Sequence, residues 1–216
     1  MTDAVPVLHI TDFDAFPGVG CDPAAWGCQL ALEEKSVPRE DRWHDPPASA
    51  TAPPPRLRHG EQEVEGAVAI LTYVDLTWRT PVLLPPRFRG RALTRLHEAD
   101  TLHAAATDLL ASLAAAEPEA DARAALAGRL TLLWRQLQLW ERHLQADAFV
   151  AGPWPSLADL RVYPYVATVQ RLGLELETSL PALAAWCARM RSRSAVIRSW
   201  PEPWADEDGP RPLLGM

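Results

Sequence analysis

Apolar residues recur at intervals of three or four positions through most of the second half of the chain, which is the spacing of a helix with one buried face. The broadest stripe lies between Ala120 and Gln145 and consists of Leu130, Leu133, Trp134, Leu137, Trp140 and Leu144. The same spacing predicts a helix from Gly90 to about Ala116 and another from Leu180 to Arg191. A further helix over Ser156–Leu172 should be kinked at Pro164. The pattern therefore predicts an all-helical second half.

The first third of the chain has a different pattern, in which short apolar or alternating runs are separated by turn residues. In chain order these runs predict a strand over Val7–Ile10, a helix from Pro23 to about Lys35, a strand over Arg39–His44, a hairpin of Arg56–Arg58 with Glu63–Val64 around Gly60, and a short helix over Gly66–Tyr73. Asp22 is placed as the N-cap of the first helix, with Pro23 as its first residue. Five prolines between 46 and 55 exclude a helix in that stretch.

This order of elements, strands first and helices afterwards, predicts an α+β fold. We expect two domains, residues 1–80 and residues 87–216, joined by a proline-bounded linker at 81–86. A chain of 216 residues is long enough for two small domains of this kind.

The composition narrows the class of protein. A formal net charge of -7 argues against a nucleic acid or an anionic membrane as partner, because both favour a basic surface. No apolar run reaches the length of about 18 residues that spans a bilayer, and the first residues do not resemble a leader peptide. Cys21, Cys28 and Cys187 lack metal-ligand spacing and the six histidines are scattered, so no metal site is predicted. We expect a cytoplasmic protein with reduced thiols.

Ser156 and Asp159 form an S-x-x-D capping box, a common helix start that indicates no function by itself. Its surroundings, residues 149–160 (FVAGPWPSLADL), resemble the entry into the buried central helix of the glutathione transferase family. Further resemblances follow in the family's order at residues 30–35 (LALEEK), 65–73 (EGAVAILTY) and 180–193, the last containing LPALAAW and RMRSR. The resemblance implies a thioredoxin-like N-terminal domain, shortened and without its second helix, followed by the family's all-α C-terminal domain. The chain looks like a divergent, bacterial-type member.

The same resemblance implies an activity. Members of this family bind glutathione or another low-molecular-weight thiol as cosubstrate and transfer it to a small apolar electrophile. Asp22 aligns with the serine or cysteine that supports the thiolate in the family, although an ionised aspartate only accepts hydrogen bonds. Cys21 could replace it, because a helix N-terminus lowers a thiol pKa. Cys21 and Asp22 are thus the catalytic candidates, and a plain loop cysteine is the alternative for Cys21.

Four residues match the family's thiol-binding positions. Pro55 aligns with a proline, usually cis, that opens the third strand, but Pro54 before it has no N–H to pair with the thiol peptide. Glu65 aligns with the acid that faces the γ-glutamyl amine. Gly66 replaces a serine, and its backbone N–H could still bind an anion. The thiol site is therefore expected near these residues in an altered form.

The electrophile would lie between the first helix and the long helix from Gly90, with Trp26, His97 and His103 as pocket candidates. By resemblance alone the protein is expected to be a homodimer. Two other functions remain open. One is a non-catalytic binding or scaffold protein on the same fold, which the altered positions favour. The other is a Cys21-based thiol reductase or lyase that forms a mixed disulfide.

Overall fold

The computed structural model describes residues 4–11, 19–45, 53–114 and 120–204. In chain order the elements are β1 Val7–Thr11, α1 Pro23–Glu34, β2 Glu40–His44, β3 Arg56–His59, β4 Gln62–Glu65, α2 Ala67–Thr77, α3 Arg89–Ala114, α4 Ala120–Leu144, α5 Leu157–Arg171, α6 Pro181–Arg191 and α7 Ser194–Arg198, with a 3₁₀ turn at Glu202–Trp204. The predicted strands and helices are confirmed within a few residues at each end. Among the predicted elements the largest difference is α2, which continues four residues beyond the predicted Tyr73, and the short helix α7 was not predicted.

The four strands form one mixed sheet in the order β2-β1-β3-β4. β1 pairs in parallel with β2 and antiparallel with β3, which in turn pairs antiparallel with β4. The inner face carries Leu8, Ile10 and Leu57, all buried against the helices. This is the predicted thioredoxin-like arrangement, and the α+β prediction is confirmed.

The outer face of the sheet is charged. His9 of β1 lies in register with Arg42 of β2 on one side and with Arg56 of β3 on the other. His9 Nδ1 also lies 2.9 Å from His44 Nε2, with the two rings stacked. The described residues between β2 and β3 contain no helix. The prediction that the family's second helix is missing also concerns residues 46–52, which lie outside the described part of the chain.

The centre of the helical half is α5, whose residues from Leu157 to Val169 are all buried. It packs against both α1 and α3. Pro164 lies within the continuous helix, so no N–H is available there for the carbonyl of Leu160. A Cβ on Gly27 of α1 would lie 3.0 Å from that carbonyl oxygen. Glycine at position 27 therefore allows α1 to approach the helix at this point. Whether the axis of α5 bends at Pro164 remains a prediction.

Asp159, in the first turn of α5, joins three parts of the helical half. Its Oδ2 accepts the Ser156 backbone N–H at 2.8 Å, the reciprocal bond of the predicted capping box, and the Ser156 hydroxyl at 2.8 Å. Its Oδ1 accepts the backbone N–H of Val150 at 3.0 Å and the indole N–H of Trp186 at 2.9 Å. The carboxylate is fully buried. One side chain thus fixes the start of α5 against the preceding loop and α6.

A second buried polar contact joins the sheet half to residues 81–83. The ammonium of Lys35, just after α1, lies 2.5 Å from Asp75 Oδ1 in α2 and also donates to the carbonyl of Pro81. Asp75 Oδ1 accepts the backbone N–H of Leu83 as well, at 2.9 Å. The end of α1, α2 and residues 81–83 therefore meet at one ion pair.

The chain after α7 returns to the start of α1. The rings of Trp26, Trp200 and Trp204 contact one another edge to face, with centroids 5.3–5.7 Å apart. The indole N–H of Trp204 donates to the carbonyl of Val19. A single 3₁₀ turn forms in this proline-rich segment. The segment Trp200–Trp204 is thereby held beside the N-terminus of α1.

Candidate active site at the N-terminus of the first helix

A cleft of about 470 Å³ opens where α1 begins. It lies between the N-terminus of α1, the edge strand β2 and the segment that follows α7. Its lining residues are Ile10, Gly20, Cys21, Asp22, Ala25, Trp26, Gln29, Arg39, Asp41, Trp43 and 198–203. Of the nine residues predicted for the site, Cys21, Asp22 and Trp26 line this cleft.

Asp22 is the N-cap of α1, as predicted. Its backbone is extended, and its Oδ1 accepts the N–H of Ala24 at 2.8 Å. Burial raises the pKa of this carboxyl to about 6, although the N–H groups of Ala24 and Ala25 and the charge of Arg161 oppose the shift. Asp22 is therefore protonated at a higher pH than an ordinary exposed aspartate. The protonated form has a hydrogen to donate, which an ionised aspartate lacks.

Cys21 is 6% exposed, immediately before the N-cap. Burial raises the pKa of its thiol, the neighbouring Asp22 adds to the increase, and a hydrogen bond with Thr168 opposes it. The prediction that the helix N-terminus would lower this pKa was wrong in direction, because the loss of solvation outweighs the helix dipole at this depth. Cys21 therefore resembles a packed thiol more than an activated nucleophile.

This burial has a testable consequence for thiol chemistry. Since the thiolate is the reactive form, Cys21 in the native protein should react with iodoacetamide at pH 8 at least about tenfold more slowly than in urea-unfolded protein. Cys28 and Cys187 are also buried and serve as internal references. Mass spectrometry of tryptic peptides after timed labelling measures all three rates. Faster labelling at Cys21 than at the two references would contradict the packed-thiol interpretation.

Trp26 separates the cleft from the core. It is 1% exposed, and its indole N–H donates to the hydroxyl of Ser199 at 3.1 Å. Tyr163 contacts it edge to face from the opposite side, in α5. The side chain thus forms the inner wall of the cleft as part of an aromatic cluster.

The four predicted thiol-binding residues lie elsewhere. Pro54, Pro55, Glu65 and Gly66 are at the junctions of β3 and β4 with neighbouring segments, and none of them lines the cleft. Gly66, with φ +90°, donates its N–H to the carbonyl of Pro55 at 2.8 Å. The expectation that this N–H could bind an anion was therefore wrong, because the main chain already uses it. The bond before Pro55 is trans; among the described residues the cis bond is Thr80–Pro81.

The two histidines predicted for the electrophile pocket do not line the cleft either. His97 is an exposed residue of α3. The ring of His103 lies between α3 and α5, with Nδ1 2.7 Å from the hydroxyl of Tyr165. That hydroxyl accepts from Arg161 at 2.9 Å. Burial, together with the charge of Arg161, lowers the pKa of His103, which favours the neutral ring at pH 7.

The polar wall of the cleft was not predicted from the sequence. Asp41 accepts from Gln29 at 2.9 Å and from Arg39 at 2.9 Å, while Arg39 also contacts Glu33 at 2.6 Å. Arg198 of α7 donates to Glu33 at 2.7 Å. The alternation of side chains along β2 could have identified Asp41 and Trp43 as residues that face the cleft. In a parallel register with β1 they lie on the same face of the sheet as Leu8 and Ile10.

The described residues contain no cluster of three or more histidine, cysteine or acidic side chains arranged to hold a metal ion. Within the same part of the chain, no helix combines the length and apolar character needed to cross a membrane.

Comparisons with known proteins agree with the fold. The glutathione S-transferase C-terminal domain model matches residues 102–194. Glutathione S-transferase A of Pleuronectes platessa is 28% identical over 211 residues, covering 89% of this chain and 93% of its own. A glutathione S-transferase from the Antarctic clam Laternula elliptica superposes with a TM-score of 0.79 at 20% identity, covering 98% of this chain and 99% of its own. A theta class enzyme from Xanthomonas axonopodis pv. citri with glutathione bound gives 0.73 at 19% identity, covering 91% and 96%.

Proposed function

Because this chain belongs to the glutathione S-transferase superfamily, we propose that it binds a low-molecular-weight thiol, with glutathione as the first candidate, and transfers it to a small apolar electrophile. The structure of the Xanthomonas relative and that of a maleylacetoacetate isomerase of the same fold both contain glutathione, which supports this choice of thiol. The observation that carries the proposal is a titratable carboxyl, Asp22, at the N-terminus of α1 and in the lining of a cleft.

Asp22 has the chemistry to manage the thiol proton. Its ionised carboxylate retains acceptor capacity beyond the bond to Ala24, so it can take the proton of an incoming S–H group. The resulting neutral carboxyl can then donate a hydrogen bond to the thiolate. The partial positive charge of the helix N-terminus stabilises the same anion. The thiolate sulfur forms the new bond to the electrophilic carbon, and the leaving group departs with its electron pair.

In this proposal Asp22 and not Cys21 supports the thiolate. Cys21 stays neutral and packs beside it, since burial raises the pKa of its thiol. By resemblance to the family, we also propose that the thiol binds near Pro54, Pro55, Glu65 and Gly66. The boundaries of the two domains and the homodimer are proposals on the same basis. Trp26 forms the inner wall of the cleft. That His97 and His103 contact the electrophile remains a prediction.

The test is a pair of measurements on Asp22→Asn. Asparagine remains a good N-cap, so the helix start is preserved. Calorimetric titration should show glutathione binding in both proteins, whereas kcat/KM for conjugation of an aromatic halide should fall roughly 100-fold in the variant. In the unmodified protein kcat/KM should fall as the pH decreases through about 6, because protonation removes the base, and Asp22→Asn should lose this limb.

Two outcomes would contradict the proposal. One is the absence of heat with glutathione and with other thiols at millimolar concentration. The other is full activity in Asp22→Asn together with loss of activity in Cys21→Ala, which would favour the Cys21-based reductase or lyase.

One observation favours a second candidate, a non-catalytic binding protein on the same fold. The family's thiol-binding position at Gly66 has its backbone N–H committed to Pro55, and Pro54 has no N–H. Such a protein would bind no thiol and conjugate nothing, while its ligand cleft would remain. The same titration separates the two candidates.

A further inference from the structure

Two tryptophans in the lining of the cleft, Trp43 and Trp200, keep part of their side chains exposed. Trp43 on the edge strand β2 is 53% exposed, although it lies next to the buried Ile10 in the sheet register. Across the cleft, Trp200 is half-buried and is flanked by Pro201 and Pro203. Exposed indoles facing a concave surface provide flat apolar area for a ligand ring.

The lining of the cleft contains more acidic than basic side chains. The lining contains the acids Asp22, Asp41 and Glu202 and two arginines, Arg39 and Arg198. Both arginines are already engaged. Arg39 contacts Asp41 and Glu33, and Arg198 donates to the carboxylate and the carbonyl of Glu33.

Asp22 differs from the other acids in this network. Its carboxyl accepts main-chain N–H groups and, within the described part of the chain, has no ion-pair partner within 4 Å. A half-buried carboxylate of this kind attracts a cation that brings its own hydrogen-bond donors. The exposed indole of Trp43, which lines the same cleft, also favours a cation.

We propose that the cleft between α1, β2 and the segment after α7 binds an aromatic molecule that carries a protonated amine, with the amine on Asp22 and the ring against Trp43 and Trp200. This inference goes beyond the proposed thiol transfer and does not depend on it. The recognition uses the carboxylate as counter-ion and the tryptophan walls as an apolar slot. A negatively charged aromatic molecule would meet the unpaired carboxylate and bind least.

The experiment compares three probes of similar size by calorimetry at pH 8: 2-phenylethylamine, 2-phenylethanol and 3-phenylpropionate. The amine should bind at least about tenfold more tightly than the alcohol, because a charge-assisted hydrogen bond contributes about that gain in affinity. The propionate should bind most weakly. In Asp22→Asn the amine and the alcohol should bind within about twofold of each other, with the affinity for the alcohol unchanged.

Two tryptophan variants test the apolar wall. Trp43→Ala should weaken the amine and the alcohol alike by at least about fivefold. Trp154→Ala removes a tryptophan that is 66% exposed but does not line the cleft, so it should leave all three affinities unchanged. Equal binding of amine and alcohol, an amine preference that persists in Asp22→Asn, no effect of Trp43→Ala, or no binding of any probe at millimolar concentration would each overturn the proposal. Failure of glutathione to bind would remove thiol transfer and leave this result standing.

Discussion

Replacing Asp159 with alanine should lower the free energy of unfolding by about 3–5 kcal/mol, one of the two largest effects we expect from a single substitution in this chain. The carboxylate accepts four hydrogen bonds inside the helical half, from Val150, Ser156 (backbone and hydroxyl) and Trp186. Alanine leaves these donors buried without an acceptor and creates a cavity at the start of α5. Urea denaturation followed by circular dichroism measures the change.

The matched control is Asp108→Ala on α3. Asp108 is also an acid in the helical half, but it is 55% exposed, and among the described residues its ion-pair partner is Arg129 at 2.9 Å, which is itself partly exposed. Its removal should change the free energy of unfolding by less than about 0.5 kcal/mol. A loss below about 1 kcal/mol for Asp159→Ala would show that the helical half relaxes without this carboxylate.

The second large effect concerns Lys35, the only lysine of the chain. Lys35→Met should lower the free energy of unfolding by about 3–5 kcal/mol, because it leaves the carboxylate of Asp75 buried without its counter-charge. It also removes the donor to the carbonyl of Pro81. Thermal and urea denaturation of the single variants Lys35→Met and Asp75→Leu would measure the two losses.

The double variant Lys35→Met with Asp75→Leu decides whether the ion pair or the packing is responsible. Two apolar side chains of similar volume should restore much of the stability lost in either single variant, since neither charge remains unpaired. The unbonded N–H of Leu83 sets a limit on the recovery, because Asp75 also accepts that group. Strictly additive losses in the double variant would contradict an energetic coupling between the two charges.

Most strands and helices could be predicted from local patterns, whereas the thioredoxin-like arrangement was implied by the family resemblance and the short helix α7 was not predicted. The cap at Asp22 with Pro23, the hairpin at Gly60 and the apolar stripe of α4 are determined by short-range chemistry, and each formed where expected. The end of α2 was predicted too early. No helix breaker lies between Tyr73 and Pro81. The buried ion pair of Asp75 with Lys35, which joins the last turns of α2 to the end of α1, cannot be inferred from sequence.

The candidate site was harder to predict because its properties depend on burial and on distant segments. A sequence places Cys21 and Asp22 at a helix N-terminus, but the directions in which their pKa values move depend on burial and on groups far along the chain, such as Thr168 and Arg161 of α5. The commitment of the Gly66 N–H to Pro55 likewise arises from the packing of two strand ends. Neither the burial of Cys21 and Asp22 nor the hydrogen bond between Gly66 and Pro55 can be inferred from the spacing of residues in the sequence.

The charged outer surface of β2 affects how the molecule behaves at high concentration. As the edge strand of the sheet, β2 offers unpaired main-chain groups to which a strand of another molecule could bond. Its sequence Glu-Asp-Arg-Trp-His places charges on successive residues, and Glu40 and Arg42 are both exposed. An incoming strand would have to strip water from these charges. Aggregation by strand addition is therefore disfavoured at the very edge that borders the cleft.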